Sequence, residues 1–205
     1  MPAALRQVGY DVTMIGDELL ANLQGTGAFL SKFDAIVVGV RAFNTSETLR
    51  TAQPALMAYV QTGGRLVVQY NTNNRLAPLS TPIGPFPFEI GRERVTDENA
   101  TVTWVSQTQP LLSLPNPITH QDFANWVQER GLYYAAKWDA RYQTVVTMHD
   151  PGEAPLPGGI LWANHGKGVF IYTGLSFFRQ LPAGVPGAFR LFANLLAAGQ
   201  TPHAP

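Results

Sequence analysis

Two carboxylates and one histidine are the candidate residues of this chain for acid–base chemistry. Glu129 and Asp139 lie in the segment WVQERGLYYAAKWDARY, among tryptophan and tyrosine side chains of the kind that line sugar-binding clefts. Glycoside hydrolysis needs two carboxyl groups about 5–10 Å apart, and His165 would supply a further acid or base. The segment thus allows a small hydrolase of glycosides or esters. The alternative, which we favour, is that Glu129 and Arg130 form structural ion pairs while the aromatic residues pack the core.

No residue has the sequence surroundings of an activated nucleophile. Many α/β enzymes carry a serine or cysteine at the sharp turn after a buried strand, but here the strand RLVVQY runs into Asn71-Thr72-Asn73. Ser176 in GLSFFR, with His165 and Asp139, has the residue types of a catalytic triad, yet nothing in the sequence brings the three together. We therefore expect a non-catalytic or degenerate site.

Polar side chains at predicted strand ends indicate ligand binding instead. Amide groups and an aromatic face suit uncharged polyols or amides. The carboxyl ends of parallel strands meet at one edge of a sheet, so residues that follow different strands are expected to converge there. At this edge an arginine would orient a carboxylate or polyol, or clamp a loop carbonyl. The candidate ligand-binding residues are Arg41, Asn44, Gln69, Tyr70, Asn71, Asn73, Trp138 and Arg179.

The composition excludes several classes of site. The 14 basic residues balance the 14 acidic ones, so the chain lacks the basic footprint that nucleic acids or anionic membranes require. There is no cysteine, and none of the four histidines has the spacing of a zinc motif, so we expect no metal and no cofactor. No apolar stretch is long enough to span a bilayer. A charged fraction of 14% is low, which favours an extracytoplasmic protein or a large buried interface.

Hydrophobic patterning predicts a single α/β domain over residues 1–199, followed by a frayed tail at 200–205. Apolar runs bounded by polar residues predict buried strands, and apolar residues at helical spacing between Pro and Gly predict helices. The predicted strands are 10–15, 33–40, 65–70, 100–105, 142–148, 159–163 and 168–173. The predicted helices are 2–8, 54–62 and 185–198. The proline-rich segment 71–91 predicts a long loop at the carboxyl end of a buried strand, where open α/β sheets bind ligands.

Several segments together resemble the carboxyl-terminal domain of bacterial LmbE/PIG-L-type deacetylase proteins. The resemblance covers nearly the whole chain, and its residues are DAIVVGVRAFNT, YVQTGGRLVVQYNTN, PFPFEIGRERVTDENATV, ITHQDFANWVQERGLYYAAKWD and GKGVFIYTGLSFFRQLPAGVPGAFRLFANLL. That domain is similar to the class I glutamine amidotransferase-like fold, with ThuA-like and β-galactosidase accessory relatives. The resemblance implies a three-layer flavodoxin-like sandwich with a mostly parallel sheet and a carbohydrate-related setting.

Two departures from the family patterns limit the function that the resemblance implies. The amidotransferase cysteine has no counterpart, because Gln69-Tyr70-Asn71 stands at its position, and the deacetylase zinc motif is absent. We therefore expect an accessory module that binds a glycan or a deacetylase domain. The alternatives are the small hydrolase described above and a purely structural oligomerisation domain.

The first strand of a flavodoxin-like sheet is not evident at the amino terminus. The chain opens with PAALRQVG, which predicts a helix, and its first strand candidate is 10–15. Either this strand pairs with 33–40 or a row of backbone donors and acceptors stays open, and open edges are commonly covered by another chain. The sequence thus predicts a homo-oligomer with an interface near residues 1–40, or a piece of a longer parent.

Overall fold

The computed structural model describes residues 1–23, 29–73, 76, 78–79 and 81–199. The helices are α1 Pro2–Gln7, α2 Asp17–Ala21, α3 Ala42–Thr45, α4 Glu47–Thr51, α5 Gln53–Gln61, α6 Phe177–Gln180 and α7 Pro186–Leu196. The strands are β1 Ile36–Val38, β2 Arg65–Gln69, β3 Phe88–Ile90, β4 Arg94–Val95, β5 Val102–Trp104, β6 Gly131–Leu132, β7 Ala135–Trp138, β8 Gln143–Thr144, β9 Val146–Met148, β10 Ile160–His165 and β11 Gly168–Thr173. Short 3-10 helices occur at Leu30–Lys32, Pro110–Leu112 and His120–Phe123.

A five-stranded mixed sheet forms the centre of this α/β fold. Its order is β1-β2-β11-β10-β8, with β1, β2 and β11 parallel and the last two pairings antiparallel. The expectation of a mostly parallel sheet is therefore wrong. Gly166 and Lys167 alone join β10 to β11, whereas a parallel pair needs a crossover of a dozen or more residues.

Both faces of the sheet are buried, which explains the continuous apolar runs of β2 and β11. Successive side chains of a strand point to opposite faces. Val67 and Ile171 pack on one face with α1 and α7, and Leu66 and Phe170 pack on the other with α5. Each such fully buried side chain contributes about 1.5–3 kcal/mol relative to an exposed one.

The helices α5 and α7 confirm the predicted helices over 54–62 and 185–198. Each has a proline in its first turn, where the missing N–H costs no intrahelical hydrogen bond. The chain beyond α5 turns at Gly63, with φ 125°, and the chain beyond α7 turns at Gly199, with φ 76°. These left-handed positions favour glycine and end the helices where the sequence indicated.

The prediction of a strand at 10–15 is wrong, and with it the first of the two alternatives, the pairing of this strand with 33–40. The segment is held locally instead: the amide of Tyr10 donates to Leu5 O, and the Arg6 guanidinium donates to Val12 O at 2.7 Å. Met14 is 64% exposed. An apolar segment forms a strand only where another strand lies beside it to share backbone hydrogen bonds. Without this strand, β1 lies at one edge of the sheet, and β2 is its only strand partner among the described residues.

Three two-stranded sheets, β3–β7, β4–β6 and β5–β9, surround the central sheet. The β4–β6 pair joins the carboxyl end of β11, because the Leu132 amide donates to Gly174 O at 2.9 Å and Gly131 bridges to Leu175. Arg94 lies opposite Leu132 in this pair. The long loop predicted over 71–91 thus contains β3, and the chain after it returns to the edge where β2 and β11 end.

The predicted frayed tail, 200–205, lies outside the described residues. The assignment of 1–199 to a single domain stays a prediction. Within the described part of the chain, no helix is long and apolar enough to cross a membrane.

Candidate ligand-binding site

The carboxyl ends of β1, β2 and β11 lie at one edge of the sheet, and the loops after β1 and β2 are joined there by hydrogen bonds. The Arg41 amide donates to Tyr70 O at 2.8 Å. Asn44 exchanges two bonds with Thr72, donating to its carbonyl at 2.7 Å and accepting from its amide at 2.8 Å. The predicted convergence of Arg41 and Asn44 with segment 69–73 is confirmed.

The amides of Asn44 and Asn71 stabilise this edge. The Asn71 side chain accepts from the Phe43 amide at 3.0 Å, donates to Gln69 O at 3.0 Å and is fully buried. Asn44 uses both ends of its carboxamide on Thr72. Each carboxamide binds the backbone through both its oxygen and its nitrogen, which gives Asn44 and Asn71 a positioning role. Their ligand-binding role stays a prediction.

A cleft of about 400 Å³ opens at this edge. Tyr133 forms one wall and stacks on Tyr70, with ring centroids 5.4 Å apart. Burial raises the pKa of Tyr70, so its hydroxyl stays neutral at physiological pH. The cleft is lined by Arg41, Thr72, Asn73, Arg92, Arg94, Leu132 and Tyr133.

Two cleft residues hold left-handed backbone conformations that are rare outside glycine. Arg41 has φ 57° and Tyr133 has φ 54°. Each such residue costs on the order of 1–3 kcal/mol, and strained residues of this kind cluster at functional sites. The surroundings impose both conformations: Tyr70 O accepts from the Arg41 amide, and Tyr133 O accepts from the Tyr172 hydroxyl at 2.6 Å.

Arg179 and Glu129 lie beside the cleft as an ion pair with a 2.8 Å Nε–Oε1 distance. The Arg179 guanidinium also lies over the Phe178 ring, 4.9 Å from its centroid, and Phe178 packs edge-on against Tyr70 at 5.5 Å. Arg179 therefore reaches the predicted edge, but its charge is neutralised by Glu129. The Glu129 side chain is only 9% exposed, which leaves little of it for solvent or substrate.

The predicted carboxylate pair is not assembled. Asp139 follows β7 and is bound by the Arg141 guanidinium. This guanidinium lies over the Phe86 ring, 3.7 Å from its centroid, and Phe86 also contacts His165. His165 pairs with Gly168, the first residue of β11. Glu129 O, in contrast, accepts a hydrogen bond from Ser176, which lies three residues after the end of β11. The two carboxylates thus lie near opposite ends of a six-residue strand roughly 16 Å long.

The candidate triad of Ser176, His165 and Asp139 is wrong for the same reason. Ser176 follows the carboxyl end of β11, and His165 precedes its amino end. The Ser176 hydroxyl is fully buried, donates to Glu129 O at 2.7 Å and accepts from Gln180 Nε2 at 2.9 Å. It is a structural group that connects α6 to the segment before β6.

Gln69 and Trp138, two further candidates, do not line the cleft. Gln69 is 3% exposed at the end of β2, and its buried Oε1 has no hydrogen-bond partner among the described residues. Trp138 pairs with Phe88 across β3–β7 and packs on the core. Asn73 does line the cleft, although its Oδ1 accepts from the Leu79 amide at 3.0 Å.

Sequence reasoning missed five residues of the cleft: Arg92, Arg94, Tyr133, Thr72 and Leu132. The first two lie in the motif Arg-Glu-Arg, whose alternation would place both arginines on one side of an extended strand. No local signal shows that β4 pairs with β6 beside the end of β11. Among the described residues, no group of histidine and acidic side chains could hold a metal.

A second cleft, of about 450 Å³, shares Asn73 with the first. Its walls are prolines and apolar side chains of the loop before β3, together with β3 itself, among them Pro82, Ile83, Phe86 and Phe88. The strand-end edge therefore combines a charged cleft with a neighbouring apolar one.

No known sequence family and no curated protein matches the chain. Two solved structures similar to it are the cytoplasmic proteins STM3548 and STM1381 of Salmonella typhimurium, each 16% identical, with TM-scores of 0.61 and 0.59. The matches cover 95% and 97% of this chain and 83% and 85% of those chains. The cold-adapted β-galactosidase of Rahnella sp. R3 is 18% identical with a TM-score of 0.52, over 94% of this chain and 26% of its own. Identities this low establish a shared fold and nothing about activity, so the resemblance to the deacetylase-associated domain stays a prediction.

Proposed function

We propose that this protein is a carbohydrate-associated accessory module that binds a glycan or small polyol in the strand-end cleft without hydrolysing it. The observation that carries the proposal is a cleft of about 400 Å³ lined by hydrogen-bond donors and one tyrosine face. At the same edge, Ser176 is buried and Glu129 is ion-paired, so the described residues there supply no activated nucleophile.

The lining of the cleft suits a sugar. Tyr133, held by its stacking on Tyr70, offers a flat apolar surface for one face of a pyranose ring. The Thr72 hydroxyl and the arginine guanidinium groups provide donors for ring hydroxyls. The strained backbones at Arg41 and Tyr133 support a binding role, because nothing in the local sequence favours those conformations.

The finer fold assignment belongs to the same proposal. Three parallel strands with helices on both faces support a flavodoxin-like sandwich of the class I glutamine amidotransferase-like type, with β1 as an edge strand. In the β-galactosidase of similar fold, the matched region makes up about a quarter of the chain. This supports an accessory role beside a carbohydrate-active domain. A deacetylase domain is the partner that the sequence resemblance implies.

Binding is tested by titrating the protein with neutral and acidic oligosaccharides, using calorimetry and backbone NMR shifts. We expect shifts centred on Thr72, Tyr133 and Arg41. Thr72→Val removes the hydroxyl at nearly constant volume and should weaken binding about tenfold, the value of one good hydrogen bond. Thr103→Val, at an exposed position of β5, is the matched control and should bind normally. Shifts that map elsewhere, or no binding by any saccharide, would disprove the proposal.

The hydrolase alternative has a separate test. Chromogenic glycosides and esters should show no turnover above buffer, because Glu129 and Asp139 do not form a pair. Turnover that is abolished by Glu129→Gln or Asp139→Asn would reject the accessory function and restore the enzyme.

A further inference from the structure

Three arginines of the cleft have no carboxylate partner within the described ranges of the chain. The side chains of Arg41, Arg92 and Arg94 are absent from the ion pairs and side-chain hydrogen bonds found among the described residues, and all three residues are exposed. The chain as a whole has 14 basic and 14 acidic residues, so this excess is local. Every residue of the cleft lining is neutral or basic.

The strand geometry collects these charges. Arg94 is the first residue of β4, Arg92 lies two residues before it, and both line the cleft. Glu93, between them, has its carboxylate against Gly91 and Ala136. The one acidic side chain between the two arginines is thereby kept out of the cleft.

One carboxylate that acts electrostatically on the cluster, that of Asp150, is already bound by other groups. Arg94 interacts electrostatically with Asp150. The Asp150 carboxylate accepts three hydrogen bonds, from the Thr96 amide and hydroxyl at 2.9 and 2.6 Å and from the Asp97 amide at 2.8 Å. It organises the turn after β4 and makes no direct hydrogen bond to Arg94, whose guanidinium stays available.

We propose that the ligand of this cleft is an anionic saccharide whose carboxylate or phosphate is bound by Arg41, Arg92 and Arg94. This inference rests on the proposed function and names the ligand class of the same site. Guanidinium groups match the geometry of both oxyanions and bind them in pairs of hydrogen bonds. Positive charges gathered in a concave site repel one another, and a bound anion relieves this repulsion. A neutral sugar does not, so the site should bind it more weakly than an anionic one.

The test compares sugars that carry an acidic group with matched neutral sugars. Trigalacturonate is titrated against galactotriose, and glucose 6-phosphate against glucose, by calorimetry at low and high salt. We expect the charged member of at least one pair to bind at least tenfold more tightly, with a loss of affinity at high salt. The preferred pair distinguishes a carboxylate from a phosphate.

Variants locate the effect. Arg92→Gln and Arg94→Gln keep a long polar side chain at exposed positions, so each should fold and lose about tenfold in affinity for the charged ligand. Lys167→Gln removes the same charge in the turn at the opposite end of β11 and should bind as the unaltered protein does.

The possible results separate the two proposals. Equal binding of charged and neutral sugars, unaffected by the arginine variants, overturns the anionic inference and leaves the glycan module intact. Binding of inorganic phosphate that is lost in the arginine variants, with no binding of any saccharide, supports the anion site and overturns the glycan function. No binding of any probe overturns both.

Discussion

Glu129 and Arg130 are neighbours in the chain, but their charges are compensated in different ways. Glu129 pairs with Arg179 at the rim of the cleft. Arg130 is 4% exposed and forms no ion pair with any carboxylate that the structure describes. Its guanidinium donates to Ala100 O at 2.9 and 3.1 Å and to Phe123 O. Of the structural ion pairs expected for these two residues, only that of Glu129 is found within the described part of the chain.

Arg130→Met should lower the free energy of unfolding by about 2–4 kcal/mol, because two buried carbonyls lose their donors. Urea denaturation measures the change. Arg141→Met is the control: its pair with Asp139 is exposed, so the loss should be much smaller. A loss at Arg130 no larger than at Arg141 would contradict the assigned role of the buried guanidinium.

Asp139 should titrate at an unusually low pH. Hydrogen bonds from the Arg141 side chain, followed by one from its amide, lower the pKa of Asp139 to about 2. A carboxylate whose pKa is lower in the folded than in the unfolded protein stabilises the fold fully at pH values above the unfolded pKa of about 4. This stabilisation is lost as the pH falls from about 4 through about 2. Carboxyl NMR should show the midpoint near 2, moving towards the ordinary value in Arg141→Gln. An unchanged midpoint would mean that Arg141 is not the cause.

At the scale of the elements, the β10–β11 hairpin decides the sheet. Its turn contains Gly166 with φ 60° and Lys167, whose amide donates to Gln61 O at 3.0 Å. A side chain at Gly166 would clash with that same carbonyl at the end of α5. The turn thus connects the hairpin to α5 as well as reversing the chain.

Gly166→Ala should therefore destabilise the protein more than Gly152→Ala does. Both glycines have positive φ, so both substitutions cost about 1 kcal/mol of backbone strain. Only at Gly166 does the new methyl meet other atoms, whereas the space around Gly152 is open. We expect an additional loss of about 1–2 kcal/mol at Gly166 in thermal or urea unfolding. Equal losses would show that the contact with α5 relaxes freely.

At the scale of the whole molecule, β1 is an edge strand of the central sheet. β1 pairs only with β2 among the described residues. Four of the seven large exposed apolar residues of the described chain lie in the amino-terminal segment: Val8, Tyr10, Met14 and Leu19. Open strand edges and exposed apolar side chains are both features of surfaces that another chain covers.

We therefore expect a homo-oligomer through residues 1–40. Light scattering should give a mass above the 22.4 kDa of one chain, and Met14→Asp combined with Leu19→Asp should reduce it to that value. Val105→Asp combined with Leu114→Asp changes two equally exposed apolar residues elsewhere and should leave the oligomer unchanged. A 22.4 kDa species at high micromolar concentration would contradict the prediction.

The sequence by itself determined the elements whose signals are local. Strands buried on both faces appear as continuous apolar runs, so β2 and β11 were predicted nearly to the residue. Pro near the start and Gly after the end mark α5 and α7. The same logic failed at 10–15, because an apolar segment becomes a strand only where a partner ladder lies beside it.

Only the tertiary structure decided which side chains share a site. Arg41 and Asn73 could be placed at the cleft because parallel strand ends share an edge. Arg92, Arg94 and Tyr133 reach it through the pairing of β4 with β6, which depends on contacts between distant segments. Glu129 and Asp139 are close in sequence, yet the chain between them runs from one end of β11 towards the other. Spacing along a chain sets an upper limit on distance, and packing sets the distance itself.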